Sequence, residues 1–284
     1  MSRDLKKPQI DRMVGRGSLI RERLGLAGGL SVLLLVGFAV VAIGASTGLI
    51  AADYRSFVAD PYGPPGAGLW LGADALGRDL GARVIQGAQV SLLVGVSGAL
   101  LTLCTGSMLG ALAGLRGGGV DRVLVAITNA IAAIPPLIAL LGGALILGPG
   151  VFSVIVVIGL SQWTGIFRSV RAEARRLLSA DFVRAAEAMG AGPGHQLRVH
   201  LLPHLAPLLW TSAVLYFVHA IKVEAVLAYF GQSAQELPSW GALLAECGSE
   251  LARGIWWPLV GASVPLALLV LAAQVLADRL SDRS

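Results

Sequence analysis

The chain has 284 residues, 55% of them hydrophobic and only 14% charged, with a mean hydropathy of +0.75; a soluble domain carries about 25% charged residues, so water is excluded as the solvent for most of this chain. The net charge of +5 could suit nucleic acid, but the arginines flank apolar runs, where they report membrane orientation instead. Cys104 lies in an apolar run and Cys247 in a polar one, which gives no disulfide framework.

Taken in chain order, residues 1–23 form a basic arm. The apolar run over residues 24–52 exceeds the 7–15 residues of a signal-peptide core, which predicts an uncleaved first transmembrane helix. Within it, Gly44-Ala-Ser46-Thr-Gly48 matches the nucleophile-elbow string, but that motif needs a strand-to-helix turn and this one ends an apolar helix. Residues 53–89 read as an outer loop, rich in Gly and Pro at its start, with a short helix over Asp79–Gln89. Further spans of the length a bilayer needs are predicted over Val90–Leu115, Val120–Leu147, Val151–Phe167, Leu205–Phe230 and Pro258–Ala277, followed by a tail over residues 278–284.

Gly106, Gly110 and Gly114 repeat every four residues on one face of the second span and let another backbone approach closely. Pro135 and Pro136 interrupt the third span and free carbonyls that protein or a water-filled cavity must satisfy; a kink lining a central path and an ordinary packed kink both fit. In the fifth span Lys222 lies near the outer interface, where snorkelling is expected, and the intramembrane carboxylate of Glu224 is a candidate for the path. Trp256 and Trp257 suit the outer interface before the sixth span.

Six spans put both termini on one side, together with the Arg116–Arg122 turn and the Arg168–His204 loop. Those four segments hold 17 of the 22 Lys and Arg residues, so the positive-inside rule predicts that both termini are cytoplasmic. The fold class is therefore an all-α integral membrane protein with about six transmembrane helices. Residues 90–277 form its main domain, with the cytoplasmic loop at 168–204.

Some chemistry is missing. The lysines are Lys6, Lys7 and Lys222, none preceded by glycine, so there is no Walker A loop to hold a nucleotide phosphate. His195, His200 and His204 have spacings that invite a metal reading, but neither cysteine nor carboxylate accompanies them there, and pairing with backbone or partner groups is the simpler reading.

The 168–204 loop reads as two helical pieces and a break. Val170, Ala174, Leu177 and Leu178 recur at helical spacing; after Asp181 as an N-cap, Phe182, Ala185, Ala186 and Met189 make a second apolar stripe. Gly190, Gly192, Pro193 and Gly194 end it. A short amphipathic helix between two spans can plug into another protein, or lie on lipid headgroups; composition leaves both open.

The loop resembles the EAA signature of ABC importer permeases, in which Glu-Ala-Ala is followed three residues later by Gly and twelve residues after that by Leu-Pro. Ala185, Ala186, Gly190, Leu202 and Pro203 match it, and Arg184 replaces the glutamate. Leu71-Gly-Ala-Asp-Ala-Leu-Gly-Arg-Asp79 with Arg83, Ala133-Ile-Pro135, Leu147-Gly-Pro-Gly150 and Pro238-Ser-Trp-Gly241 are similar to the C-type subunit of the dipeptide, oligopeptide and nickel permease family. Asn129 stands where that family usually has aspartate.

The resemblance implies an ABC type I importer permease fold in the bacterial inner membrane and a chain that is not itself an enzyme. The implied partners are a second permease, two cytoplasmic ATP-binding subunits that hold ATP and Mg, a periplasmic or lipid-anchored substrate-binding protein, and membrane lipid; no nucleic acid and no resident cofactor are implied. Arg184, Ala185, Ala186, Glu187, Met189, Gly190, Leu202 and Pro203 would then couple to the ATPase, and Asn129, Pro135, Pro136 and Glu224 would line the path. Peptides are the first substrate class, with nickel, metal chelates and oligosaccharides as alternatives. A secondary transporter would need midplane ionisable residues and paired broken helices, and an enzyme built on Ser46 lacks a histidine beside it.

Overall fold

The computed structural model describes residues 7–66, 68–233 and 237–281, with side chains in those ranges except at 7–26 and 249. The charges expected of the 1–23 arm and the last three residues of the tail lie outside what is described. The elements are α1 (Lys7–Ser46), α2 (Leu80–Arg116), α3 (Gly118–Ala132), α4 (Pro136–Leu147), α5 (Val151–Leu178), α6 (Asp181–Ala188), α7 (Pro193–His195), a π-helical turn (Gln196–Leu201), α8 (Leu202–Tyr229), α9 (Trp240–Leu251) and α10 (Trp257–Ser281).

The predicted spans occur, but several run past their predicted ends. The apolar part of α1 covers Ala27–Ser46 and stops before residue 52, because the Ser46 and Thr47 hydroxyls bond back to the carbonyls of Ile43 and Gly44 and compete with the helical ladder. The short helix expected at 79–89 is not separate from the second span. Asp79 accepts hydrogen bonds from the Gly81 and Ala82 amides, and from that cap a single 37-residue helix runs to Arg116.

The glycines of α2 decide its main contact. A Cβ on Gly106 would sit 1.9 Å from Ile166 Cγ2 and 2.7 Å from the Trp163 carbonyl oxygen; one on Gly110 would sit 2.7 Å from the Phe167 carbonyl oxygen, and one on Gly114 2.7 Å from Ala174 Cβ. Only bare backbone permits this approach, and in lipid such packing, rather than the hydrophobic effect, holds helices together. Going up the series Gly98–Ile158, Gly106–Ile166, Gly110–Val170, Gly114–Ala174, both numbers rise together, so α2 and α5 are parallel.

That direction settles what α3 and α4 do. They meet at 91° across the prolines, a sharper break than a kink. Since the next long helix runs parallel to α2, the broken pair has to carry the chain back across, and it completes six crossings among the described residues. Pro135 and Pro136 cause the break: neither donates an amide, and Pro136 starts α4, the position where that loss costs nothing.

The other spans close the bundle. Ala220 of α8 meets Gly98 while Leu205 clusters with Leu103 and Ala111, so α8 is antiparallel to α2. Ala42 of α1 clusters with Ala262 and Leu269 of α10, and Gly28 lies against Arg279. The start of α1, the end of α10, the α2–α3 turn and α6 therefore share one side.

Candidate functional site

The segment between α5 and α8 was expected to leave the membrane at Phe167. Instead α5 continues in one helix to Leu178, with Val170, Ala174 and Leu177 buried against α2. Its C-terminal end is fixed to the first turn of α3: Asp121 accepts from Arg171 Nε, from Arg171 Nη2 at 2.8 Å and from Arg175 Nη2. A bidentate arginine–carboxylate pair fixes geometry as well as charge. Sequence reading counted these arginines as orientation signals and missed their partner, which lies 50 residues away in the chain.

Helix α6 follows a two-residue turn. Asp181 is its first helical residue rather than its N-cap, which is Ala180, without a side-chain hydrogen bond; a carboxylate there still favours the positive end of the helix. The buried stripe also differs from expectation. Val183 and Ala186 face inward, while Phe182, Ala185 and Met189 are exposed, Met189 at 82%. The buried side of this eight-residue helix is two small side chains, and the rest of its surface is exposed, Arg184 and Glu187 included.

Gly190 ends α6 with φ +93, a left-handed conformation that glycine adopts without strain. Its amide donates to the Glu187 carbonyl and that of Ala191 to the Ala186 carbonyl, closing the helix end. Pro193 then opens α7 and the π-helical turn, where the Leu202 amide reaches back to the Leu197 carbonyl. Leu202 and Pro203 follow, both exposed. A π turn was not legible beforehand; its one signal is the proline pair Pro203 and Pro207, which removes two amides from the ladder of the first turns of α8.

The histidines hold α6 to this turn. The Phe182 ring stacks on His204 with centroids 5.3 Å apart and meets His200 edge-on at 5.8 Å. His204 Nδ1 donates to the His200 carbonyl oxygen at 2.6 Å. At the other end of the bundle the Ser46 hydroxyl bonds within its own helix.

On the opposite side the Leu71–Asp79 motif forms a knot of charge. Asp74 Oδ1 accepts from the Leu76 and Arg78 amides at 2.8 and 2.9 Å, and Oδ2 from Arg78 Nε at 2.7 Å and Arg83 Nη1 at 2.6 Å. Arg83 also donates to both oxygens of Glu246 on α9, at 2.8 and 3.0 Å. Burial pushes the Asp74 carboxyl up, but the Arg78 amide, the Arg83 charge and the Leu76 amide outweigh it and hold it below the usual range. Burial, with Glu246 second and Asp74 third, raises Glu250, and burial with Glu250 and Glu246 pushes the Cys247 thiol up to about 12. Gly77 at φ +77 places its α-carbon so near the Ala59 carbonyl oxygen that a Cβ would lie 2.1 Å from it.

The Pro238–Gly241 motif packs beneath this knot. Ser239 caps α9 through the Ala242 amide at 3.0 Å, and Trp240 donates from Nε1 to the Val84 carbonyl at 2.8 Å. Glu224, 2% exposed, lies under Gly241, where a Cβ would sit 3.0 Å from its Oε2. Asn129, by contrast, is exposed on α3 and accepts from Arg168 Nη2 at 3.5 Å, with Pro135 and Pro136 exposed at the break beyond it. The four residues expected on one path thus fall in two places, Glu224 near the C-terminal end of α8 and the other three on the broken span. Lys222 is exposed.

Residues 106–284 match the family model described as "Binding-protein-dependent transport system inner membrane component". A peptide permease protein of Brucella ovis is 37% identical over 75% of this chain and 71% of its own. The dipeptide transport system permease protein of Bacillus subtilis is 31% identical over 77% and 69%. The MetNI methionine ABC transporter in an inward-facing conformation shares the fold, with a TM-score of 0.58 over 70% of this chain and 95% of that one, at 22% identity.

Proposed function

Because this chain belongs to the family of binding-protein-dependent transport system inner membrane components, and is thus the multi-pass membrane permease of an ABC importer that works with other subunits, we propose that it forms half of a pathway for di- or oligopeptides and is driven through α6. The peptide reading is supported by the relatives, whose names describe peptide and dipeptide permeases. The other half of the pathway is a second permease. Two cytoplasmic subunits bind and hydrolyse ATP with Mg, and an outer binding protein delivers the substrate. Both termini face the cytoplasm, on the side that carries most of the arginines.

The observation that carries the coupling role is the shape of α6. Val183 and Ala186 fix it to its own bundle, and Arg184, Ala185, Glu187 and Met189 remain on an exposed knob between two spanning helices. Leu202 and Pro203 start the span that receives its motion. When the ATPases close, a helix held on both sides passes their movement to α5 and α8, which shifts the balance between inward-open and outward-open states.

Gly190→Glu tests this. A Cβ at this position would meet no atom within 4 Å, but φ is positive, so the variant adds about 1 kcal/mol of strain and a like charge beside Glu187 without a clash. The assembled complex is expected to lose uptake and substrate-stimulated ATP hydrolysis together. Normal uptake by an assembled variant complex would sink the coupling role.

A further inference from the structure

Much of the exposed surface of this bundle is apolar: Leu33, Val40 and Ile43 on α1, Leu93 and Leu100 on α2, Leu268 and Leu271 on α10 are all exposed. The inner half of α5 departs from that pattern. One side of it packs on α2 through Trp163, Ile166, Phe167, Val170 and Ala174. The opposite side, between α3 and α8, carries Ser161, Thr164, Gly165, Arg168 and Ser169 at spacings of three, four and seven residues, with Gly165, Arg168 and Ser169 exposed and the other two partly so. That face contains no large apolar side chain over two helical turns.

Around Gly165 and Arg168 its neighbours continue the chemistry, while Ser161 sits beside Ile131, Ile146 and Leu160. Asn129 on α3 accepts from Arg168, and the Tyr216 hydroxyl of α8 lies 2.5 Å from where a Cβ on Gly165 would stand. A polar surface with an arginine is costly against acyl chains, so it faces protein or water. Asn129 is the one hydrogen-bond partner of Arg168 among the described residues, at 3.5 Å, and an arginine so weakly paired needs hydration or an anion. Water is therefore the better occupant than a second protein surface. Arg168 stands 17 residues after Val151, about 26 Å down the helix, near the inner end of a hydrocarbon core about 30 Å thick.

We propose that the Ser161–Ser169 face of α5, with Asn129 and Tyr216, lines the aqueous translocation pathway, and that Arg168 receives the carboxylate of the substrate at its inner end. The face stands on its own; the carboxylate part rests on the peptide reading, since every linear peptide with a free C terminus brings one. The guanidinium can offer two parallel N–H groups to such a carboxylate.

The test uses the full complex with its binding protein in proteoliposomes, in a background where Cys104 and Cys247 are replaced by alanine. Ser161→Cys and Ser169→Cys should react with a membrane-impermeant thiol reagent at least tenfold faster than Leu33→Cys and Leu268→Cys, at rates that change between nucleotide-free and ATP-trapped states. Absence of reaction in both states, in a complex that hydrolyses ATP, overturns the pathway face and marks it as covered by the second permease. For Arg168, uptake of a free tripeptide is compared with that of its C-terminal amide. Arg168→Gln should lower the preference for the free acid about tenfold and Arg168→Lys should partly restore it; an unchanged ratio overturns the carboxylate role. A wild-type complex that carries neither peptide defeats the peptide reading instead, while the thiol reaction still decides the face.

Discussion

Replacing Arg83 with methionine removes three hydrogen bonds from the Asp74 charge knot, one to Asp74 and two to Glu246. Methionine fills much of the volume of the stem, so the loss is electrostatic rather than a cavity. Stripping one partner from a fully buried ion pair costs about 3–5 kcal/mol. Here the cost falls below that, because Asp74 keeps Arg78 and two backbone amides and the Glu246 side chain, 43% exposed, can rehydrate. The expected loss is about 2–3 kcal/mol, or roughly 5–10 °C in the unfolding midpoint of the purified complex. Glu246→Leu in the same background should cost less than it does alone, since the buried charge it leaves has already gone. A midpoint within about 1 °C of wild type, or strictly additive losses, would refute the idea that Arg83 ties the Leu71–Asp79 loop to α9.

Three other outcomes follow from the same geometry. Gly106→Ala puts a methyl 2.7 Å from the Trp163 carbonyl, which backbone cannot yield, so it should cost about 1–3 kcal/mol; Gly37→Ala, with nothing within 4 Å, should be neutral, and equal thermal midpoints for the two would contradict the α2–α5 packing. Asp74 has a lowered folded-state pKa, so its contribution is complete above the ordinary carboxylate range near about 4 and drains away as pH falls below it; a pH series of midpoints should show that acid-side slope, and Asp74→Asn should flatten it. The Cys247 thiol, 2% exposed and pushed up to about 12, should resist alkylation by a small neutral reagent at pH 8 until the complex is unfolded; modification of the folded form would contradict its burial.

The spans were legible because bilayer crossing demands long apolar runs, and the glycine repeat of α2 was legible because its four-residue period has one physical use. Boundaries were not. Nothing in the hydropathy of Leu80–Gln89 distinguishes a loop helix from the first turns of a span; the Asp79 cap and the contacts of Trp240 with Val84 decide it. In α6 the spacing showed a stripe but not its direction: Phe182 is large and apolar, yet it faces outward because two histidines 18 and 22 residues later offer it rings. The pairings of Asp121 with Arg171 and of Arg83 with Glu246 span 50 and 163 residues, and no local pattern announces contacts at that range. The residues expected on the path show the same limit, since Asn129 finds Arg168 only once α3 and α5 are packed together.

These pairings bear on how the two ends of the bundle communicate. The Asp74 knot begins at the first turn of α2 through Arg83, and the Asp121 lock sits just past the other end of α2, on the first turn of α3. Between them α2 is one uninterrupted helix of 37 residues, welded along one face to α5 by glycines that admit no slack. α5 in turn runs without a break to the turn before α6. On the proposed function, a protein that docks on the outer loop and an ATPase that grips α6 therefore act on the same rigid pair of rods, and the compliance lies elsewhere: in the 91° break of α3 and α4 and in the π-helical turn before α8. Interfaces that are close-packed shift as units rather than deform, so motion of α6 is expected to tilt the α2–α5 pair as one body and to be absorbed at those two irregular places.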